Sequence, residues 1–303
     1  MSLAENLPMP IQQQTISQPI ELQGIGLHSG QMVTLQFLPA EVDTGVVFLR
    51  QDLADAEPIP AYFTNVTDTV MSSNLTNALG QRIGTVEHLL SAVSALGIDN
   101  LIIQVSASEI PIMDGSASVF IKTLQQAGIT TQGVAKKFIK ILRPVEVRHE
   151  DKIARFTPYE GFSLDFEIAF EHPAFQPPYD KYHVDLTPAN FIEQIAQART
   201  FGFLKDIDYL KSQNLALGGS MDNAIVLDDT QVLNPTGLRF ADEFVRHKIL
   251  DAVGDLYLAG HQILGAFYGY KSGHALNNQL LRAVFASPDN YKVVTNYENV
   301  IQK

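Results

Sequence analysis

Apolar positions along this chain switch between two periods. From Thr85 onward Val86, Leu89, Leu90, Val93 and Leu96 recur at helical spacing. Thr85 is placed to cap that helix, and Gly97 to stop it. Leu101 to Val105 then reads as a strand. Asp114-Gly115-Ser116 opens a second helix over about Ala117 to Gln126, which Gly128 ends. Upstream, Ile16 to Leu22 carries a strand signal. A loop with three glycines follows, Gly24 to Gly30, and then Val33 to Leu38, which predicts a hairpin or a wide loop.

The second half repeats this order. Phe138 to Val147 and Ile153 to Thr157 flank a turn at His149-Glu150-Asp151, and Phe162 to Phe170 alternates like a strand. A long helix is expected over about Asp242 to Leu258, a short buried strand over Ile263 to Tyr270, and a last helix over Ala275 to Phe285. Both halves read hairpin, strand, insertion, helix, strand, helix. Two similarly built α+β domains, each a sheet layer with two helices, are the simplest account. The boundary is expected near Gly133 to Lys137, giving domains 1–134 and 135–303. Insertions are expected over about 51–82 and about 185–240.

A length of 303 residues fits two domains. Hydrophobic residues make up 46% and charged residues 18%, enough for packed cores and unlike a disordered chain. The formal charge of -12 argues against a nucleic-acid partner and against anionic membrane surfaces. With no cysteine, disulfides and thiolate metal sites are excluded, and any zinc must use His, Asp or Glu. Met1 to Gln14 lacks the basic cluster and apolar core of a signal peptide. No apolar run reaches the roughly 18 residues of a membrane span, so a cytoplasmic protein is expected.

Candidate chemistry sits in two distant stretches. His247 and Asp251 are four apart, so on a helix they leave the same face one turn apart. With His88 they make two imidazoles and one carboxylate. Three protein ligands and an open position are how a catalytic zinc is held. Glu87 is then a candidate base. A bland reading is open for each. His247 and Asp251 can be an ordinary pair on the wet face of an amphipathic helix, and His88 a satisfied core residue. Gly254 lies on the polar side of the long helix, where glycine costs about 1 kcal/mol relative to alanine, which suggests that something approaches there. The zinc-protease HExxH pattern is absent, because position 92 is Ala. His274 opens the last helix, where the helix terminus lowers an imidazole pKa and a carboxylate partner raises it. Asp255 is the candidate partner. Apolar Phe201, Phe203, Leu204, Ile207, Leu210, Leu215 and Leu217 crowd the second insertion beside Thr200. They form either a satellite core or a pocket wall. The Gly24–Gly30 loop is only loosely like a phosphate cradle. His28, His149, His172, His183 and His261 receive no role.

Seven stretches together resemble one family, the UDP-3-O-acyl-N-acetylglucosamine deacetylases, zinc amidases of lipid A biosynthesis. They are Gly24–Gly30, Thr85–Leu89, Ile110–Ser116, Ala198–Phe203, Leu217–Ser220, His247–Asp251 and Lys271–Asn278. The resemblance covers nearly the whole chain from about Gln14. About ten residues precede the usual start, and the tail looks short. It implies two α+β domains face to face, helices between the sheets, with the metal site between them. It implies His88, His247 and Asp251 as ligands of one Zn2+ ion, Fe2+ being an alternative. Glu87 would be the general base. His274, steadied by Asp255, would be an electrostatic group or acid, and Thr200 an oxyanion donor. Phe201, Lys248, Gly219 and Ser220 would contact substrate, and the second insertion would shape a passage for an acyl chain. The expected partner is a small molecule, acylated UDP-GlcNAc, and the expected state a monomer. Two rivals stay open on the residues alone. One is a non-haem iron(II) oxygenase, which leaves Glu87 without a task. The other is a non-catalytic acyl-sugar or lipid-carrier binding module with a structural metal.

Overall fold

The structure, a computed structural model, describes residues 12–295. Met1 to residue 11 of the N-terminal stretch read above lies outside them. The first half runs β1 (Gln12–Ile16), β2 (Ile20–Ile25), β3 (Met32–Pro39), β4 (Val46–Arg50), β5 (Ile59–Pro60), β6 (Val66–Asp68), β7 (Asn74–Thr76), β8 (Arg82–Ile83), α1 (Glu87–Ala95), β9 (Leu101–Val105), α2 (Ser118–Gln126) and β10 (Ile129–Ala135). The second runs β11 (Phe138–Ile141), β12 (Val145–His149), β13 (Lys152–Thr157), β14 (Phe162–Glu167), β15 (Lys181–Asp185), the single turn α3 (Pro188–Asn190), β16 (Phe201–Phe203), α4 (Ile207–Ser212), β17 (Ile225–Leu227), α5 (Glu243–Tyr257), β18 (Gln262–Tyr270), α6 (His274–Phe285) and β19 (Tyr291–Val294).

Two main sheets share one wiring. In the first, the β2–β3 hairpin pairs antiparallel with β9, β9 runs parallel to β4, and β4 pairs antiparallel with β5. In the second, the β12–β13 hairpin pairs antiparallel with β18, β18 runs parallel to β14, and β14 pairs antiparallel with β15. The repeat visible in element order is thus a repeat in strand pairing, and the architecture is α+β. β18 also pairs with β11, which carries β19 at the edge.

Alternation explains the sheets. Val33, Leu35 and Phe37 of β3 all point inward and are fully buried. Helix α1 is buried at all nine positions, the polar Glu87 and His88 included. It packs against α5 and α2; α5 packs on β14, and α6 on α5, β12 and β13. Burying Leu89, Leu90 and Val93 of α1 contributes about 1.5–3 kcal/mol each.

Several expectations need correction. Ile16 to Leu22 is two strands, because Pro19 in the Ser17–Pro19 bend has no N–H for a ladder and the chain turns there. Ile16 joins β1, which pairs with β10. β10 ends at Ala135, within the Gly133–Lys137 stretch where the domain boundary is expected. Thr85 does not cap α1: its φ is +58°, and its hydroxyl donates to Glu109 Oε1 at 3.3 Å. The first insertion holds the small sheet β6–β7–β8, and the strand from Phe162 stops at Glu167.

Candidate active site

The site forms where α1 crosses α5, and the crossing is unusually close. A Cβ at Gly254 would lie 2.0 Å from the carbonyl oxygen of Glu87 and 2.7 Å from its carbonyl carbon. What approaches the glycine on the polar side of α5 is the backbone of α1. His88, His247, Asp251 and Asp255 are all buried, at 2–5% exposure. The wet-face reading of α5 is therefore wrong.

His88 Nε2 lies 3.4 Å from Asp251 Oδ1, and His247 Nε2 lies 3.3 Å from the same oxygen. Ligand atoms of the three residues lie within 4.8 Å of one another. Ligands about 2.1 Å from a tetrahedral ion stand roughly 3.4 Å apart, so both histidine–aspartate separations match a shared ion. The two rings meet edge to face, with planes at 88°. Burial holds His247 down to about 4, against the pull of the Asp251 carboxylate. Its Nδ1 donates to Ala198 O at 3.0 Å, which leaves the Nε2 lone pair free to ligate. Asp251 Oδ2 takes Lys248 Nζ at 2.6 Å, leaving Oδ1 for the ion. Burial opposes the Asp251 charge, yet the facing His247 and Lys248 hold its carboxyl well below the usual range. Lys248 is the cation that persists at neutral pH. The residues fit one divalent cation with an open side.

Glu87 is buried beside this trio, and burial pushes its carboxyl up. Its Oε2 accepts the Ser73 N–H at 3.0 Å, and its Oε1 faces His274 Nε2 at 3.8 Å. His274 Nδ1 donates to Asp255 at 2.9 Å. Burial works against charge on His274, but Asp255 and Glu87 outweigh it and raise the imidazole to about 9. A protonated imidazole therefore stands next to a buried carboxylate of raised pKa. This is the pairing expected of acid–base machinery.

A family model described as LpxC, UDP-3-O-acyl N-acetylglycosamine deacetylase, matches residues 13–286. The chain belongs to that deacetylase family. Among its relatives, the UDP-3-O-acyl-N-acetylglucosamine deacetylase of Acinetobacter baumannii (strain SDF) is 56% identical over 285 residues, covering 94% of this chain and 95% of that protein. Those of Psychrobacter arcticus and Pasteurella multocida are each 57% identical. They cover 95% and 94% of this chain, and 90% and 93% of their own lengths.

In this member of the deacetylase family, the second insertion reaches the centre through Ala198 and Phe201, both against His247, and Thr200 lies between them in sequence. Thr200 N–H donates to Gly115 O at 2.8 Å, where a Cβ on Gly115 would strike Asn223 O at 2.1 Å. The Phe201 ring lies 6.3 Å from that of His247 and 5.0 Å from that of Phe244. Phe170, Phe175, Phe203 and His172 complete this aromatic cluster. Part of the insertion thus packs onto the main core and forms no satellite of its own, while Leu204 and Leu217 stay half exposed. Gly219 and Ser220 sit in a turn that seats on the Gly24–Gly30 loop, Gly218 N–H donating to Leu27 O at 2.9 Å. That loop is no open phosphate cradle. Its His28 and Ser29 N–H groups donate to the Glu109 carboxylate at 2.8 and 2.9 Å. Leu210 and Leu215 of the insertion, with His28, Thr85 and Tyr209, line a cavity of about 520 Å³. Sequence reasoning missed Ser73, Asn277 and Glu109. Nothing local distinguishes a serine or asparagine whose partner lies about 180 or 20 residues away. Glu109 precedes the Ile110–Ser116 motif and was legible only as its neighbour.

Proposed function

We propose that the chain is a zinc-dependent amidase that removes the N-acetyl group of UDP-3-O-acyl-N-acetylglucosamine, giving UDP-3-O-acyl-glucosamine and acetate. This is the committed step of lipid A biosynthesis, and the proposed location is the cytoplasm, the proposed state a monomer. The observation that carries the reading is the convergence of His88, His247 and Asp251 beside Glu87, in a chain of the deacetylase family. The proposed layout is two domains, 1–134 and 135–303, with the site at their junction.

A zinc ion held by the trio supplies Lewis acidity and water of pKa near 7. The same donors also accept Fe2+. Glu87 takes a proton from the attacking water, a task suited to a buried carboxylate whose affinity for protons is raised. Thr200 donates to the oxygen that gains charge, and one such donor is worth about 3 kcal/mol. His274, held charged by Asp255, gives its proton to the departing nitrogen, a poor leaving group otherwise. Phe201, Lys248, Gly219 and Ser220 are the proposed substrate contacts. Lys248 also grips Asp251, so its substitution is expected to disturb the ligand set as well as binding. Leu210 and Leu215 offer apolar surface to the acyl chain, whose burial contributes about 0.8 kcal/mol per CH2.

The test is acetate release from the acylated UDP-sugar, with and without chelator. Glu87→Ala is expected to keep its zinc and lose turnover. Asp251→Ala is expected to lose both. Chelator-resistant release contradicts the mechanism. A non-catalytic binding module would bind ligand unchanged after Glu87→Ala and show no turnover in the parent protein.

A further inference from the structure

We propose that Ser73 is a positioning residue that fixes the base and the acid of the reaction relative to each other. This rests on the roles assigned to Glu87 and His274 above. Ser73 lies in the first insertion, just before β7, and is 2% exposed. All three of its polar groups are spent on the elements that carry the site. Its N–H donates to Glu87 Oε2 at 3.0 Å, and its carbonyl accepts the Val86 N–H at 3.3 Å, at the start of α1. Its hydroxyl donates to Asp255 Oδ1 at 2.6 Å, across 182 positions of sequence. That length is typical of a hydroxyl on a carboxylate, about 2.5–2.7 Å.

The accounting at Asp255 shows what the hydroxyl does. His274 Nδ1 lies 3.1 Å from Oδ1 and 2.9 Å from Oδ2, one proton facing both oxygens. Asn277 Nδ2 donates to Oδ2 at 2.8 Å, and Ser73 alone adds a donor on Oδ1. Asn277 is itself fixed, its Oδ1 accepting Ser272 Oγ–H at 2.6 Å. Two donors on opposite oxygens stop the carboxylate from rotating, so the imidazole it holds keeps its Nε2 towards Glu87 Oε1. Because one residue grips both Glu87 and Asp255, it sets that separation from both ends. The first insertion is therefore part of the site. It supplies a side chain that reaches across from the α1 side to Asp255, the partner of His274.

The experiment is a double-mutant cycle with Asp255 in the zinc-loaded protein. Ser73→Ala is expected to lower kcat about tenfold, the scale of one hydrogen bond to a charged group, with KM and zinc content unchanged. Ser73→Thr, which keeps the hydroxyl, should restore most of the rate. In an Asp255→Ala background, adding Ser73→Ala should cost less than about twofold, because the hydroxyl acts through the missing carboxylate. An unchanged kcat in Ser73→Ala, or a loss that adds in full to that of Asp255→Ala, overturns the proposal. Should Ser73→Ala not fold, Ser73→Cys keeps the volume and offers only a weak donor, and the same losses are expected. The downfield proton resonance of His274 Nδ1–H reads the clamp without turnover and should move in Ser73→Ala. A parent protein that releases no acetate refutes the function, while a resonance that fails to move refutes the clamp.

Discussion

Replacing Gly254 by alanine sets two effects of opposite sign against each other. In a solvated helix the change stabilises by about 1 kcal/mol, because glycine is a poor helix former. Here the new methyl would stand 2.0 Å from Glu87 O, 2.7 Å from its carbonyl carbon and 2.9 Å from its Cα. Ordinary contact needs roughly 3.5 Å, so α1 must retreat from α5 by about 1–1.5 Å. The obstacle is backbone inside a helix and cannot rotate away. Overpacking of this kind costs about 1–3 kcal/mol, which outweighs the helical gain. The functional effect is larger than the loss of stability. α1 carries His88 and Glu87 while α5 carries His247 and Asp251, and metal–ligand distances tolerate only about 0.2 Å. Gly254→Ala is therefore expected to lower the urea midpoint and to lose bound metal, with turnover down at least about a hundredfold. Unfolding curves, metal analysis and acetate release measure these three. A Gly254→Ala protein that is more stable than the parent and binds one metal ion per chain would falsify the close-crossing argument.

Three further outcomes follow from buried charges and from the metal. Lys136 is fully buried, its Nζ donating to Gly97 O at 2.9 Å and to Asp99 Oδ1 at 2.6 Å. Lys136→Met should cost about 3–5 kcal/mol in urea unfolding, and Lys136→Met with Asp99→Leu should recover part of it; a neutral single variant refutes the pair. In metal-free protein, His274 is raised from 6.5 to about 9, so its contribution to stability is full below pH 6.5 and lost as pH rises through about 9. The urea midpoint should fall across that window and do so less in His274→Gln; an identical slope in both proteins would show that another group titrates. Chelation of the loaded protein should abolish turnover and lower its midpoint, and re-addition of zinc should restore both.

Period and punctuation made most of the fold legible. The spacing of Val86 to Leu96 and the breaks at Gly97 and Gly128 placed α1, β9 and α2 within a residue or two, and both hairpins followed from turn residues. Elements that depend on distant partners were not legible. β10 and β19 bury too few of their positions to announce themselves, and the contact of the Thr85 hydroxyl with Glu109, at φ +58°, is made across 24 positions of sequence. The site divided in the same way. His247 and Asp251 announced themselves by one-turn spacing, His88, Glu87, His274 and Asp255 stood as candidates beside them, and the family resemblance gave each a role. Gly254 could be flagged as odd, but its partner, the Glu87 carbonyl, could not be named from the chain alone. Ser73 gave no sign at all, since its partners lie on helices that begin 14 and 170 positions later.

The shared wiring of the two sheets places two helices in equivalent positions. In each copy the helix just before the central strand, α1 before β9 and α5 before β18, is the one that bears ligands. Neither copy is self-sufficient: one offers a lone imidazole, the other an imidazole and a carboxylate. Packing of these two equivalent helices against each other joins the two partial donor sets into one. The full donor set exists only where the two helices meet.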